Sequence, residues 1–199
     1  MEQVAFIRMK DGDQQDYDLL LAHERAFAKG AANRILESLT KLENSLSGYR
    51  ISRLDHSLQS ASRAERDGAD IDWIISALLH DIGDTFAPYN HSEYAAAVLQ
   101  PFVREQCHWV IRRHGEFQLF YCGQYVGADP NTRERHRGHP YFDDCAEFCE
   151  RWDQSSFDPD YSHYPLEHFA DRVRMVFARK PYDPAVIRPG EREPLVTTN

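Results

Sequence analysis

The 199-residue sequence lacks several features that define common protein classes. No apolar run approaches the roughly 20 residues that cross a bilayer, so we expect no membrane association. The first residues show no basic region followed by an apolar segment, so we expect no secretion signal and a cytoplasmic protein. A formal net charge of −9 is the opposite of the basic excess typical of nucleic-acid binders, so we expect no nucleic-acid partner.

Cysteine is scarce, and its spacing is not that of a metal or redox motif. The four cysteines form no CxxC pair, and Cys145 and Cys149 are spaced to share one helix face. We therefore expect reduced cysteines in the core, at Cys107, Cys122, Cys145 and Cys149.

Apolar residues recur at helical spacing through most of the chain, whereas alternation with a period of two is scarce. The pattern predicts an all-helical (all-α) protein. The predicted helices span 14–28, 31–46, 52–67, 71–81, 91–100, 103–114, 140–153 and 165–178. The length favours a single domain, placed at residues 1–180, and the proline-rich tail, 181–199, is expected to be an extended surface strap or disordered.

The longest irregular segment is predicted at residues 117–137, where glycine, proline and aromatic residues interrupt the helical pattern. Loops of this length in compact domains are often functional. The run RERHRGH, at 133–139, concentrates positive charge at the end of this irregular segment. Arg133, Arg135 and Arg137 are therefore candidates for contact with an anion, and a solvated loop is the alternative.

The stretch ALLHDIGDTFAPYNH, at 77–91, places His80 and Asp81 at the inner end of an apolar helix, with His91 ten residues after the aspartate. Polar groups buried there must find hydrogen-bond partners or bind a cation. His56 lies near the start of another predicted helix, on the same side as Gln59 and Arg63, which makes those two residues candidate substrate contacts.

Two more residues continue apolar rows at helical spacing. His114 follows Val110 and Ile111 on one buried stripe, and Asp153 ends the row that contains Cys149. A carboxylate at a helix C-terminus opposes the helix dipole by up to about 1 kcal/mol, so Asp153 needs a cation. Four imidazoles and two carboxylates suffice for two metal ions, and nitrogen and oxygen ligands fit iron, manganese, nickel or zinc.

The stretch HSLQSASRAERDGADIDWIISALLHDIGD resembles the core of the HD-domain superfamily. Within it, the chain resembles the mixed-valence diiron oxygenases that cleave the carbon–phosphorus bond of hydroxylated organophosphonates, including the 1-hydroxy-2-(trimethylammonio)ethylphosphonate type. The stretch FDDCAEFCERWDQ resembles the segment that supplies their last aspartate. The resemblance implies an HD-domain helical bundle with a dimetal site in its core, at residues 52–154.

The resemblance also implies how the ligands are shared between two irons, Fe(II) and Fe(III). One iron would be bound by His56, His80, Asp81 and Asp153, and the other by His91, His114 and Asp81, with Asp81 bridging. The implied dioxygenase reaction uses O₂ as cosubstrate and gives a carboxylate and phosphate.

Many HD proteins are instead phosphohydrolases, and several branches carry a lysine in the pattern HDxGK. Here that position is Asp84, which is expected to repel a phosphate dianion or to attract a cationic substrate group. The lysine that follows the fourth histidine in the phosphonate oxygenases is also absent, since this chain has Glu116 and Gln118. Gln118 is therefore a candidate substrate contact.

Aromatic residues near the ligands suggest a second kind of contact. Phe117 and Tyr121 are candidates to bind a quaternary ammonium through cation–π interactions, with ordinary packing as the alternative. Tyr49 precedes His56 by seven residues and is the nearest candidate for the tyrosine that caps an iron in the family, although its register differs.

These observations predict a diiron oxygenase that acts on a small 1-hydroxylated organophosphonate, with an amino or trimethylammonio group, as its small-molecule partner. The alternative is a metal-dependent phosphohydrolase of a nucleotide or small phosphoester. A catalytically silent module that keeps a structural metal is a third hypothesis, and the complete ligand set argues against it.

Overall fold

A computed structural model describes residues 2–196 of the chain. Within that range the chain is helical with no β-strand, which confirms the predicted all-α class. The helices are α1 (Gln14–Ala28), α2 (Ala31–Thr40), α3 (Arg53–Arg66), α4 (Ile71–Leu79), α5 (His91–Leu99), α6 (Glu105–Cys122), α7 (Phe142–Phe148), α8 (Leu166–Phe177) and α9 (Pro184–Ile187). Short 3₁₀ helices lie at Met9–Asp11, Lys41–Asn44, Gly123–Tyr125 and Thr132–His136, and a π-helical turn, Cys149–Asp153, follows α7.

Helix α4 is the centre of the bundle. Its first turn is capped by the Asp70 carboxylate, which accepts hydrogen bonds from the backbone N–H groups of Asp72 and Trp73. The eight residues after Ile71 are all buried, as expected for a helix that is apolar around most of its circumference. It packs against α3, α6 and α8, so the residues at its C-terminal end lie deep in the molecule.

The neighbouring helices surround that C-terminal end. Helix α3 begins with a capping box in which Ser52 and Asp55 exchange side-chain and backbone hydrogen bonds. Helix α5 packs on α6, and α6 packs on α7. The buried rings of Trp73, Phe148 and Trp152 join α4 to α7 and its π-helical turn. The bundle therefore directs α3, α4, α6 and the π turn toward one region.

Helix α6 is longer than the sequence indicated. The prediction ended it at residue 114, but it continues for two more turns to Cys122 because the buried stripe of Ile111 and His114 extends to Phe117. The irregular segment therefore begins later than residue 117 and is itself divided by two 3₁₀ helices. The expectation of four core cysteines also needs correction. Cys122 lies exposed at the end of α6, while the other three cysteines are buried.

The C-terminal tail lies across α6 and α7 as an extended strap that follows the short helix α9. The Arg192 guanidinium donates to the buried Asp144 carboxylate, and Glu193 exchanges two backbone hydrogen bonds with the Gln106 amide. The side chain of Leu195, itself part of the strap, is buried in the core. Residues 197–199 of the predicted tail and Met1 of the predicted domain lie outside the described residues. Among residues 2–196, no helix combines the length and apolarity needed to cross a membrane.

Candidate metal centre

Four side chains from three parts of the chain converge in the core. They are His56 from α3, His80 and Asp81 at the end of α4, and Asp153 from the π-helical turn. The Nε2 atoms of His56 and His80 are 3.0 Å apart. Asp81 Oδ2 lies 3.2 Å from His56 Nε2 and 3.1 Å from His80 Nε2. Asp153 Oδ1 lies 3.3 and 3.5 Å from the same two nitrogens, so all four groups face one point.

A second set of side chains meets the other oxygen of Asp81. Asp81 Oδ1 lies 3.4 Å from His91 Nε2 and 3.3 Å from His114 Nε2. Asp81 thus presents one oxygen to each set of histidines. The ligand atoms form three overlapping groups of metal-ligand type, and Asp81 belongs to two of them: His56 with His80 and Asp81, Asp81 with His91 and His114, and His80 with His114 and Asp153.

Three of the four histidines are oriented by backbone carbonyl groups. His56 Nδ1 donates to the carbonyl oxygen of Ser156 at 2.9 Å. His80 and His114 donate to the carbonyl oxygens of Ala77 and Ile111, three residues earlier in each helix, at 2.7 and 2.6 Å. With the proton held on Nδ1, each Nε2 is left with a lone pair that faces the aspartates, as in histidines that bind metals.

This polarity shows that the residues fit metal ions. The Nε2 lone pairs and the carboxylate oxygens are all acceptors, and at about 3 Å they repel one another unless a proton or cation lies between them. Among the described residues, Asp153 Oδ2 is buried and has no hydrogen-bond partner. An orphaned carboxylate oxygen inside a core is costly, and metal coordination would satisfy it.

The pKa shifts have the same origin, the crowding of imidazoles and carboxylates in a buried site. Burial alone would lower the pKa of His80, but the charges of Asp81 and Asp153 raise that pKa well above its usual value. Burial would likewise raise the pKa of Asp81, yet His80 and Arg53 hold it well below its usual range. A proton on His80 therefore offsets the negative charges of Asp81 and Asp153. A metal ion bound at this point would offset the same charges, so metal binding should release that proton.

The position of His91 depends on a close approach between two backbones. His91 is the first residue of α5, and Gly83 lies against it in the turn after Asp81. A Cβ atom on Gly83 would lie 2.6 Å from the His91 carbonyl oxygen and 2.8 Å from its Cα. Only glycine permits this contact, so the HDIG segment itself determines where α5 begins.

Arg53 adds a buried positive charge to the open side of the site. Its Nη2 donates to Asp81, and its Nε donates to Asp84 at 2.7 Å. Burial would lower the pKa of Arg53, but Asp81 and Asp84 raise it, so the guanidinium stays charged. Its Cζ also lies 5.4 Å from the ring centroid of Tyr49 and 5.8 Å from that of Phe157.

Both ligand sets border one cavity of about 360 Å³. Ligand residues and Arg53 form its floor, and its walls are largely apolar and aromatic. The wall residues include Tyr49, Gln118, Leu119, Tyr121 and Phe157. Burial and the neighbouring Cys149 raise the pKa of Tyr121 to about 12, so its hydroxyl keeps its proton at neutral pH. The volume suits a small molecule.

Residues 53–140 match the family model of the HD domain. The chain carries an HD domain. The match contains the first five candidate ligands, and Asp153 lies beyond its end. No curated protein matches the chain. HD-domain proteins are generally metal-dependent enzymes, so the buried histidines and aspartates indicate a metal-dependent hydrolase or oxygenase.

Both predicted substrate contacts on α3 have other partners. Gln59 is buried, and its amide exchanges hydrogen bonds with the backbone N–H and C=O of Asp158. Arg63 packs on the ring of Tyr161, with 3.9 Å between Cζ and the ring centroid. These residues support the segment that contains Ser156 and Phe157, so any effect of Gln59 on the site acts through that segment.

Predicted contacts from α6 and the loop after it divide in the same way. Gln118 and Tyr121 border the cavity, but Phe117 lies fully buried against Phe142 and Trp109 because it faces the core side of α6. The expectation that Phe117 contacts a substrate is therefore corrected.

The three loop arginines are also directed elsewhere. Arg133 packs on the ring of Phe120 at 3.6 Å. Arg135 pairs with Glu116, and Arg137 pairs with Glu134. None of the three borders the cavity, where the positive charge comes from Arg53, and the predicted anion contact from this loop stays a prediction.

Sequence analysis missed Arg53 and Phe157. Arg53 is one helical turn before His56, and this spacing was a signal that could have identified it. Phe157 stacks on His56, with ring centroids 4.3 Å apart, and on Tyr49 at 5.0 Å. No periodic pattern marks Phe157, because it lies in an irregular segment after the π turn.

Proposed function

We propose that the chain is a diiron oxygenase that uses O₂ to cleave the carbon–phosphorus bond of a small 1-hydroxylated organophosphonate. The observation that carries the proposal is the sharing of Asp81 between two ligand sets that open on one small cavity. The resemblance to the phosphonate oxygenases divides the six ligands in the same way. The proposal includes a cytoplasmic location and a small-molecule substrate, with no nucleic-acid or membrane partner.

Under this proposal, His56, His80, Asp81 and Asp153 hold one iron ion, and His91, His114 and Asp81 hold the other. When bound, the Fe(II)/Fe(III) pair would supply O₂ activation and the Lewis acidity that lowers the pKa of a substrate hydroxyl. The absence of thiolate from both sets agrees with iron bound by nitrogen and oxygen ligands.

The other residues of the cavity bind and orient the substrate. Among the described residues, Arg53 carries the positive charge that borders the cavity. It therefore contacts the anionic phosphonate. The rings of Tyr49, Tyr121 and Phe157 receive the amino or trimethylammonio group, for which aromatic faces are suited. Tyr121 keeps its proton and serves as a hydrogen-bond donor, and the apolar wall excludes bulk water.

A metal-dependent phosphohydrolase of a nucleotide or small phosphoester is the second candidate. Arg53 favours it, since a buried guanidinium beside the ligands would also bind a phosphoester. Asp84 counts against it because this aspartate stands where several hydrolase branches carry the lysine of the HDxGK pattern.

The origin of the new oxygen atom distinguishes the two candidates. The chain is loaded with iron under anaerobic conditions, partly reduced, and supplied with a 1-hydroxyphosphonate and ¹⁸O₂. An oxygenase gives a carboxylate with one heavy oxygen and releases phosphate only when O₂ is present. Release at an undiminished rate without O₂, with label entering only from H₂¹⁸O, would contradict the oxygenase and support the hydrolase.

A further inference from the structure

His91 differs from the other three histidines in how its ring is held. His80 and His114 each donate from Nδ1 to a carbonyl three residues earlier, which is possible because each follows a complete helical turn. His91 begins α5, so no helical turn precedes it. The group that faces its Nδ1 is instead the Asp84 carboxylate, with 3.6 Å between Nδ1 and Oδ1.

Asp84 is itself held in place from two directions. Its Oδ2 accepts a hydrogen bond from Arg53 Nε at 2.7 Å, and its backbone N–H donates to the carbonyl oxygen of Asp81. Arg53 also contacts Asp81, whose Oδ1 faces His91 Nε2. These four residues, Asp81, Arg53, Asp84 and His91, form a closed ring in which the two carboxylates alternate with a guanidinium and an imidazole, and we call it the charge ring.

The charge ring lies on the exposed side of the metal centre. The His91 side chain is 28% exposed, whereas that of His80 is fully buried. A depression of about 440 Å³, bordered by Tyr49, Arg53, Asp84 and His91, adjoins this side. An ion bound by His91 would therefore exchange with solvent more readily than one bound by His80.

From this geometry we infer that Asp84 is a positioning residue that orients His91 and sets the affinity of the second metal position. At the first position, His56, His80 and Asp153 share no hydrogen bond or ion pair with Asp84, which reaches that position through Arg53 and Asp81. The inference rests on the dimetal centre of the proposed function. A carboxylate behind a ligating imidazole fixes its tautomer and strengthens it as a ligand, and loss of such a partner typically weakens metal binding about 10–100-fold.

The test is a titration of the metal-free full chain with Co²⁺. Calorimetry and the visible spectrum of the bound ion monitor each binding step. We expect two binding steps in the wild type and the loss of one step in His91→Ala, which identifies the second position. Asp84→Asn keeps the shape of the side chain and removes its charge. It should weaken that same step at least tenfold, alter its spectrum, and leave the other step within twofold.

Two further variants separate positioning from a general loss of stability. Asp84→Glu restores the carboxylate and should recover part of the second step. Asp72→Asn is the matched control, because Asp72 is a buried carboxylate that pairs with Arg104 and Arg179 away from the metal centre. It should leave both steps unchanged.

The outcomes that contradict the inference are distinct from those that contradict the dimetal centre. Two unchanged steps in Asp84→Asn, or equal weakening of both, would overturn the role of Asp84 and leave the dimetal centre standing. A wild-type chain that binds a single Co²⁺ would overturn both.

Discussion

The two halves of the metal centre are built by different means. In the closed half, His56 and His80 donate to backbone carbonyls, and Asp153 lies in a π-helical turn within the core. In the open half, His114 also donates to a backbone carbonyl, but His91 is partly exposed and faces Asp84, which Arg53 holds. Backbone carbonyls keep their positions as long as the fold is intact. A charged side chain, in contrast, can change its position when a charged neighbour is substituted. The closed half is therefore fixed by the fold, and the open half is adjustable by single substitutions.

The largest effect is expected at the residue that the two halves share. Asp81→Ala removes an oxygen ligand from each set and leaves Arg53 with Asp84 as its remaining carboxylate. We expect both metals to be lost and the metal-free chain to be destabilised by about 3 kcal/mol, as when one partner of a buried ion pair is removed. Metal content by mass spectrometry and unfolding in urea measure the two effects.

Asp72→Ala supplies the comparison for Asp81→Ala. Asp72 is similarly buried and pairs with two arginines, but it lies at the start of α4 rather than at its end. It should cost a comparable free energy of unfolding without loss of metal. Equal metal content in wild type and Asp81→Ala would contradict the shared ligand.

A smaller effect, confined to the open half, is expected from Gly83→Ala. The added methyl group would collide with the backbone of His91 and displace the start of α5. We expect the metal content to fall from two ions to one, with a loss of about 1–3 kcal/mol in the free energy of unfolding, as for overpacked sites. Metal analysis after gel filtration gives the stoichiometry.

Gly30→Ala is the matched control for this substitution. Its added methyl group would meet chiefly the mobile end of the Arg34 side chain, which can move aside. It should keep both metals. Retention of both ions by Gly83→Ala would show that the start of α5 tolerates displacement, and the contrast between the halves would then be weaker.

The sequence predicted those parts of the site that follow helical periodicity. His114 and Asp153 were identified because they extend buried rows of α6 and of the helix that leads into the π turn. The ring of Phe157 and the pairing of Arg53 with Asp84 were not predicted, because they depend on how separate segments meet in space. The family match supports the HD fold, while the assignment of the six ligands to metals stays a prediction.

The error over Phe117 has the same physical origin. The prediction ended α6 at residue 114 and treated Phe117 as part of a loop that was free to face the site. The additional turns of α6 instead direct Phe117 into the core and place Gln118 and Tyr121 at the cavity. Helix length therefore decided which of these neighbouring residues could meet a substrate.

A moderate effect of pH on the free energy of unfolding is expected in the metal-free protein. The effect has opposite signs for His80 in the closed half and His91 in the open half. Burial would lower the pKa of His80, but Asp81 and Asp153 raise it above 6.5, so its protonated form stabilises the fold. That contribution is complete below pH 6.5 and is lost as the pH rises through the higher pKa of the folded state. Burial lowers the pKa of His91, so its contribution is lost as the pH falls below 6.5.

Urea unfolding of the chelator-treated chain across a pH series measures both contributions. His80→Gln should flatten the decline in stability on the alkaline side, and His91→Gln should flatten the decline on the acidic side. The carboxylates Asp81 and Asp153, whose pKa values are lowered chiefly by His80, add a further loss in strong acid in His91→Gln, and this loss should be smaller in His80→Gln. Identical pH profiles for the two variants would contradict the difference between the halves.

The smallest effect is expected from a positive charge outside the open half. The Arg135 side chain is 57% exposed and pairs with Glu116, which also contacts Arg113 and His136. Arg135→Gln should therefore change the free energy of unfolding by less than about 1 kcal/mol, since exposed ion pairs contribute little.

Under the proposed function, Arg135→Gln should also leave the KM for an anionic substrate unchanged, whereas Arg53→Gln should raise that KM because Arg53 borders the cavity. Steady-state kinetics of the two variants, each with its metal content verified, make the comparison. A large increase in KM for Arg135→Gln would mean that the segment after α6 closes over the cavity when substrate binds, and the open half would then include a positive charge that comes from the loop.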